Sequence, residues 1–410
     1  MFTVRLLLVL GIVAVGPAGV VRGQEAGKQG PAAEMAWPPP PETARVKWVG
    51  ALRNEAELGR KESFFARLKR SLAGVSLSGM FTISRPYDVW AADDRRVFIT
   101  DGITPAVIVF DREAKQARFL GEGVPGGLKK PMGLTGTQAG QVLVADQVGR
   151  RVVVFDQAGR YLRSFGGPDV MLNPIDVAVD EASGRYYVVD SYLHQILVYD
   201  ERGHLVERIG RHDGDASSRL AAAAPRAHGD VPANGGGSEA AASEASVPGH
   251  PAGHGGPLRS ETRDVLDNRG ESDAEFKYPV AAAVGPDGTL WVVDQLNFRV
   301  QAFSRDGRFL SRFGRVGTTP GSFARPKGIA VDSEGHVFVV DAAFNNVQIF
   351  DPDGRLLLAF SGGGSNQGYL QLPMGISIGA GNRVYVADRY NNRISMFEYL
   401  PVADRGPGER

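Results

Sequence analysis

One sequence pattern returns six times along this chain and limits the possible folds more than any other feature. In each repeat a proline opens a short apolar run, a second apolar run ends in aspartate, and a third ends in an aromatic residue. The prolines are Pro86, Pro131, Pro174, Pro279, Pro326 and Pro373, and the aspartates are Asp101, Asp146, Asp190, Asp294, Asp341 and Asp388. A fixed period of this kind is typical of repeat proteins, in which one structural unit recurs.

Each repeat contains four strand signals separated by turn residues. In the fifth repeat these signals are residues 328–332, 336–340, 347–350 and 356–360. Four short strands with tight turns make one propeller blade, so the sequence predicts an all-β, six-bladed β-propeller of four-stranded blades. The last repeat lacks a fourth strand, and residues 45–50 have the composition of an outer strand. We therefore predict that this N-terminal strand completes the last blade and closes the ring.

The N-terminus has the features of a targeting segment. One basic residue precedes an apolar stretch at residues 6–15, and Gly and Pro follow. We interpret residues 1–23 as a signal peptide, with an uncleaved anchor as the alternative. The chain contains no cysteine, which excludes a lipoprotein anchor. We therefore expect an exported protein, periplasmic or extracellular, with a Pro-rich linker at 24–42, the propeller at 43–400 and a polar tail at 401–410.

Several runs within the repeats carry a family motif. They include Pro-Lys-Gly-Ile-Ala-Val-Asp at 326–332, Asp-Gln-Leu-Asn-Phe-Arg-Val at 294–300 and Asp-Arg-Tyr-Asn-Asn-Arg-Ile at 388–394. These runs resemble NHL repeats, which form six-bladed propellers, and the resemblance covers residues 85–399. The first repeat departs most, because residues 102–106 lack both Asn and Arg. The exported bacterial type, which this chain resembles, implies a role beside envelope redox or assembly systems.

Two segments interrupt the regular array. Residues 211–272 are rich in Ala, Gly, Ser, Pro and His, so we predict a disordered insertion between the third and fourth blades. Residues 55–72 have apolar residues at helical spacing within a basic sequence, which predicts one short helix. Propeller topology would put both segments on the face that carries the loops after the second strands. The helix either packs on the propeller or contacts a partner or an acidic membrane surface.

The candidate binding residues lie in the loops after the second strands, where arginine and asparagine are suited to the recognition of acidic and polar groups. The candidates are Arg150, Arg151, Asn297, Arg299, Asn345, Asn346, Asn391 and Arg393. The alternative is that these arginines hold the blades together. We interpret the six recurring aspartates as fold residues that accept backbone N–H groups, since a catalytic site is rarely sixfold.

The composition and the remaining motifs give little support to catalysis. The 46 basic and 46 acidic residues leave a net charge of zero, which argues against a nucleic-acid partner. The seven histidines are dispersed, we identify no carboxylate set outside the repeat, and no metal or cofactor is implied. We predict a non-enzymatic binding or assembly module for an envelope protein, a peptide or a surface polymer. The alternatives are a metal-dependent hydrolase or lyase that uses the central channel, and a purely structural scaffold.

Overall fold

The protein is an all-β, six-bladed propeller, as the repeat predicts. A computed structural model describes residues 35–39, 42–59, 81–91, 93, 95–210 and 271–400. In these residues six antiparallel sheets form the blades, five with four strands and one with five. The first strands of neighbouring blades lie side by side around a central channel.

The blades follow one another in chain order. Blades one and two consist of β3 (Pro86–Ala91), β4 (Arg96–Asp101), β5 (Val107–Asp111), β6 (Gln116–Leu120), β7 (Pro131–Gly136), β8 (Val142–Asp146), β9 (Arg151–Phe155) and β10 (Tyr161–Gly166). Blades three and four consist of β11 (Pro174–Asp180), β12 (Arg185–Asp190), β13 (Gln195–Tyr199), β14 (Leu205–Ile209), β15 (Pro279–Val284), β16 (Leu290–Asp294), β17 (Arg299–Phe303) and β18 (Phe309–Phe313). Blade five consists of β19 (Pro326–Val331), β20 (Val337–Asp341), β21 (Asn346–Phe350) and β22 (Leu356–Phe360).

The sixth blade joins the two ends of the described chain. Its strand order is β1 (Ala36–Trp37), β2 (Val46–Leu52), β25 (Arg393–Tyr399), β24 (Arg383–Asp388) and β23 (Pro373–Gly379). Pairing of β2 with β25 confirms the predicted closure of the ring by an N-terminal strand. The fifth strand, β1, corrects the prediction that residues 24–42 form only an extended linker, because residues 36 and 37 pair with β2. The Trp37 side chain packs against Phe360 and Phe397, so this segment belongs to the core.

The recurring proline and aspartate occupy the same register in every blade. Pro86 of β3 lies opposite Asp101 of β4, and the corresponding pair is found in the other five blades. In each blade the pairing shifts directly after the proline, which is a β-bulge in the innermost strand. The sequence repeat is therefore a repeat of register as well as of strand order.

The hydrophobic core lies between neighbouring blades. All residues of the second and third strands are buried in blade four, because both faces of its sheet pack against other sheets. Val, Ile and aromatic residues suit such strands, since they fill a pleated surface that is covered on both sides. Phe313 of blade four and Phe350 of blade five show this packing, with ring centroids 4.5 Å apart.

Several predictions concern segments that the structure covers only in part. The predicted helix at 55–72 begins with a 3-10 turn, Glu55–Leu58, and Gly59 ends that turn in the left-handed conformation with φ of 69°. The prediction of one continuous helix from residue 55 is therefore wrong, and residues 60–80 lie outside the described residues. The same holds for residues 1–34, 211–270 and 401–410, which contain the predicted signal peptide, most of the insertion and the tail. No helix among the described residues is long and apolar enough to cross a membrane.

Candidate binding face and central channel

One end of the propeller carries two kinds of loop. The turn after each second strand and the connection from each fourth strand to the next blade lie at the same end, because the strands of a blade are antiparallel. We call this end the loop face. The predicted site residues belong to it, and so does the mouth of the central channel where each innermost strand begins.

The six recurring aspartates hold the loop face together. Asp101 accepts backbone hydrogen bonds from Ser84 and Arg85 at 2.8 and 2.9 Å, so its carboxylate fixes the connection that leads into β3. Asp341 does the same for the connection before β19. Burial raises the pKa of Asp294 to about 6, and bonds from Asn297 and Lys277 oppose that shift. The interpretation of these aspartates as fold residues is confirmed.

Arg299 and Arg393 are buried inside their blades. Only 1% of Arg393 is exposed; its Nε donates to Asp388 at 2.7 Å and an Nη donates to the Tyr369 carbonyl at 2.5 Å. Arg299 is 5% exposed and contacts Asp294 and backbone carbonyls in the same manner. The prediction that these two arginines face a partner is therefore wrong. They are anchors for the connections between blades, the alternative that we weighed.

Three further candidates also bind their own blade. Arg151 donates to the Gly127 carbonyl at 2.6 Å. The Asn297 and Asn391 side chains donate to the aspartates that end their second strands, at 2.7 and 2.9 Å. These hydrogen bonds stabilise the turns of the loop face, so a binding role for the three residues has no support from their geometry.

The last three candidates differ from one another. Asn345 accepts a hydrogen bond from the Leu372 N–H at 2.7 Å and is therefore part of a turn. Asn346 has a buried Oδ1 with no partner among the described residues. Arg150 is half-buried in the left-handed conformation with φ of 50°. The eight predicted residues share a face but do not form one surface.

An apolar ring on the loop face was missed by the sequence analysis. It consists of the residue two positions after each recurring aspartate: Ile103, Val148, Tyr192, Leu296, Ala343 and Tyr390. Ile103 and Val148 are 62% and 63% exposed, and Tyr192 and Tyr390 are 50% and 52% exposed. The recurring aspartates accept hydrogen bonds from the N–H groups of Ile103 and Tyr192, so these side chains sit on ordered turns.

The apolar ring could have been found by comparing the repeats position by position. Turns favour Gly, Asn, Asp and Ser, because these residues tolerate or stabilise turn geometry. An apolar residue at the same turn position in all six repeats departs from that preference. The recurring apolar position can be read from the sequence, but the exposure of its side chains can be read only from the structure.

Two aspartates line the central channel. The innermost strands surround a cavity of about 200 Å³, into which Asp88 of blade one and Asp176 of blade three project. The Leu134 N–H donates to Asp88 and the Ala282 N–H donates to Asp176, both at 2.9 Å. A Cβ at Gly133 would collide with the Asp176 carboxylate, so both acids lie beside the Gly133–Leu134 peptide.

The environment of the two acids favours their protonated forms. Burial raises the pKa of Asp176 to about 7. Burial and, next, the charge of Asp176 hold the pKa of Asp88 well above its ordinary value. Burial and the two nearby carboxylates also raise the pKa of Tyr87. A carboxyl group that titrates near neutral pH can give or accept a proton under physiological conditions.

These acids correct the expectation that no carboxylate set exists outside the repeat. The third residue of each repeat, counted from the proline, is Asp in repeats one and three, Ala in repeat four and Gly in the others. Comparison at this position would have shown the departure. It would not have shown that Asp88 and Asp176 approach the same peptide, because they lie in blades separated by a third blade.

Histidines and carboxylates do not form a metal centre in the described part of the chain. No group of three or more such side chains there is arranged to hold an ion. His194 is buried and its Nδ1 lies 3.2 Å from the Phe276 carbonyl, while His336 lies 2.9 Å from Asp332. His250 and His254 lie outside the described residues.

Comparison with solved structures gives low identities. A protein of unknown function from Bacteroides thetaiotaomicron is 16% identical, with a TM-score of 0.50 over 78% of this chain and 71% of that one. A virginiamycin B lyase from Staphylococcus aureus is 14% identical, with a TM-score of 0.47 over 77% and 85%. A gluconolactonase from Xanthomonas campestris is 15% identical, with a TM-score of 0.48 over 78% and 86%. These likenesses concern the fold alone, and no curated protein sequence matches the chain.

Two family models match parts of the sequence. A family described as a 6-bladed beta-propeller matches residues 284–361, in blades four and five. The NHL repeat matches residues 370–397, in blade six. Both matches lie within the propeller and agree with its six-bladed ring and with the resemblance to NHL repeats.

Proposed function

We propose that the protein is a non-catalytic binding or assembly module that presents its loop face to a protein or peptide of the cell envelope. The apolar ring carries this proposal. Exposed apolar side chains gathered on one face support an interaction site, and Ile103, Val148, Tyr192, Ala343 and Tyr390 are exposed on this face. The ring stands on turns whose backbone is held by buried carboxylates, so little conformational entropy is lost when a partner binds.

The experiment compares the apolar ring with exposed apolar residues elsewhere on the propeller. The ring variant carries Ile103→Ser, Val148→Ser and Tyr390→Ser. The control carries Leu162→Ser, Val206→Ser and Leu310→Ser, which remove side chains that are 46%, 53% and 53% exposed on the outer strands. Each protein is tagged, crosslinked in its native cells and purified with its partner.

We expect one reproducible partner with the native protein and the control, and roughly tenfold less with the ring variant, because buried apolar anchors dominate interface energy. Circular dichroism and melting temperature should be the same for the three proteins. Equal capture by the ring variant and the native protein would contradict the proposal. If none of the three proteins captures a partner, the result would favour the purely structural scaffold.

We also propose that the protein is exported and acts in the periplasm or outside the cell. The apolar stretch at residues 6–15 and the small residues that follow support this address. N-terminal sequencing of protein from the envelope fraction should give a chain that begins near Gln24. Recovery of an intact Met1 in that fraction would instead support the uncleaved anchor.

Catalysis in the central channel is the second candidate function, and the acid pair favours it. Asp88 and Asp176 could act as general acid and base on a small substrate that enters the 200 Å³ cavity. The test is a screen of lactone and ester hydrolysis with and without added divalent cations. Activity that disappears in Asp176→Asn and persists in the ring variant would establish catalysis in the channel.

A further inference from the structure

The mouth of the central channel carries a second set of exposed side chains. The residue directly before the proline of each innermost strand lies at this mouth, because the proline pairs with the aspartate that ends the second strand on the loop face. Three of these residues are exposed cations: Arg85, Lys130 and Arg325. The other three are Asn173, Tyr278 and Leu372, so no acid occupies this position in any blade.

These mouth cations have no ionic partner among the described residues. Three arginines of the opposite face differ, because carboxylates in the turns at that end bind them. Arg160 donates to Asp156 at 2.7 Å, Arg355 donates to Asp351 at 2.7 Å, and Arg95 lies 2.9 Å from Glu113. The side chains of Arg85, Lys130 and Arg325 thus form no ion pair among the described residues, whereas Arg95, Arg160 and Arg355 at the other end are paired with carboxylates.

Lys129 adds to the charge at the mouth. It precedes Lys130, is exposed, and forms no ion pair with any residue that the structure describes. Lys327, one residue inside the channel, reaches the Gln295 side chain at 2.9 Å. The four exposed cations, Arg85, Lys129, Lys130 and Arg325, thus come from the ends of blades one, two and five at the channel mouth.

The apolar ring surrounds the basic mouth. The turns after the second strands lie farther from the axis than the starts of the innermost strands, since the second strand is the next one outward in each sheet. A partner that covers the ring therefore meets Arg85, Lys130 and Arg325 at its centre. Complementarity requires negative charge there and apolar side chains around it.

We propose, building on the function proposed above, that the partner presents an acidic protein segment flanked by aromatic or aliphatic residues. The carboxylates of that segment pair with Arg85, Lys130 and Arg325, and its apolar residues contact the apolar ring. A nucleic acid would pair its phosphates with the cations and stack bases on Tyr192 and Tyr390, but it offers no aliphatic side chains to Ile103, Val148 and Leu296. The ring thus favours a peptide over a polyphosphate.

The test selects 12-residue peptides from a random display library on the full-length protein. The charge variant carries Arg85→Glu, Lys130→Glu and Arg325→Glu. Its control carries Arg95→Glu, Arg160→Glu and Arg355→Glu on the opposite face, where the side chains are 67%, 82% and 77% exposed. The ring variant Ile103→Ser, Val148→Ser, Tyr390→Ser is selected in parallel, and a single-stranded RNA is titrated against each protein.

We expect the native protein and the control to enrich peptides rich in Asp and Glu that also contain aromatic or aliphatic residues. The best peptide should bind the charge variant about tenfold more weakly, and its affinity for the native protein should fall as salt rises. Peptides without acidic excess, or equal affinity for the charge variant, would overturn the proposal, and so would binding of the RNA in place of peptides.

The two proposals fail in different ways. If the selected peptides lack acidic excess but require the apolar ring, the loop face is a binding face and only the partner chemistry is wrong. If no peptide is enriched on the native protein and ring substitutions leave native capture unchanged, both proposals fall.

Discussion

At the scale of single residues, position within the repeat decides what a side chain does. The same loop holds a buried aspartate, which fixes the backbone, and two residues later an exposed apolar side chain such as Ile103 or Tyr390. Arg393 lies only five residues after Asp388, yet its guanidinium is buried and serves the fold. Residue type alone therefore does not separate binding residues from structural ones in this protein.

The acid pair should make stability depend on pH. Asp176 has a pKa of about 7 in the folded chain and about 4 in an unfolded one, so the folded state binds more protons between these values. The free energy of unfolding should therefore fall as pH rises from about 4 to 7, by on the order of 3 kcal/mol from this group. Urea unfolding at a series of pH values measures this loss.

The Asp176→Asn variant should lose a large part of that dependence. Loss of the Asp176 carboxylate also removes its repulsion of the Asp88 carboxylate, so the pKa of Asp88 moves toward its ordinary value. Some dependence remains, because burial also raises the pKa values of Asp190, Asp294 and Asp388. Asp156→Asn is the matched control. Hydrogen bonds from Arg160 lower the pKa of Asp156, so this group changes the pH dependence of stability only at pH values below about 4. A curve for Asp176→Asn that parallels the native one would contradict the prediction.

At the scale of elements, the connections between blades depend on buried side chains. The connection between β22 and β23 contains no helix or named strand, but the Arg393 guanidinium binds its carbonyls at Ser365, Asn366 and Tyr369. Arg299 serves the connection before β15 and reaches the carbonyls of Glu271 and Ser272. Those two residues were predicted to be the end of the disordered insertion, and the structure instead places them in this anchored turn.

Removal of the Arg393 anchor should destabilise the protein strongly. Arg393→Met leaves the Asp388 carboxylate buried without its cation, and the expected loss is about 3–5 kcal/mol of unfolding free energy. The control is Arg355→Met, which removes an ion pair of a side chain that is 77% exposed and should cost no more than about 1 kcal/mol. Urea unfolding of both variants measures the difference, and equal losses would show that burial of Arg393 has no special importance.

At the scale of the whole molecule, stability depends on closure of the ring. Strand β2 comes from the N-terminal part of the chain and pairs with β25 at the C-terminal end, so the propeller closes only when distant parts of the chain meet. Strand β1 extends this junction by pairing with β2. Trp37 of β1 lies 6.1 Å from Phe360 of blade five and 5.8 Å from Phe397 of blade six, measured between ring centroids.

Loss of the Trp37 side chain should therefore weaken the closure. Trp37→Ala removes aromatic packing from the seam between blades five and six, and we expect a loss of about 2–4 kcal/mol. Limited proteolysis should cut this variant first near the N-terminal strands. Leu162→Ala, on the outer strand of blade two, is the control and should change the melting temperature little. Unchanged proteolysis and melting of Trp37→Ala would show that β1 is dispensable.

The sequence by itself determined the blade number, the strand pattern and the closing strand, because these depend on a local periodicity that recurs in all six repeats. It also identified the recurring aspartates as fold residues. Only the tertiary structure decided which loop arginines are buried and that Asp88 and Asp176 share one cavity. Exposure and the meeting of separate blades depend on how the closed ring packs, and no local pattern of residues records that arrangement.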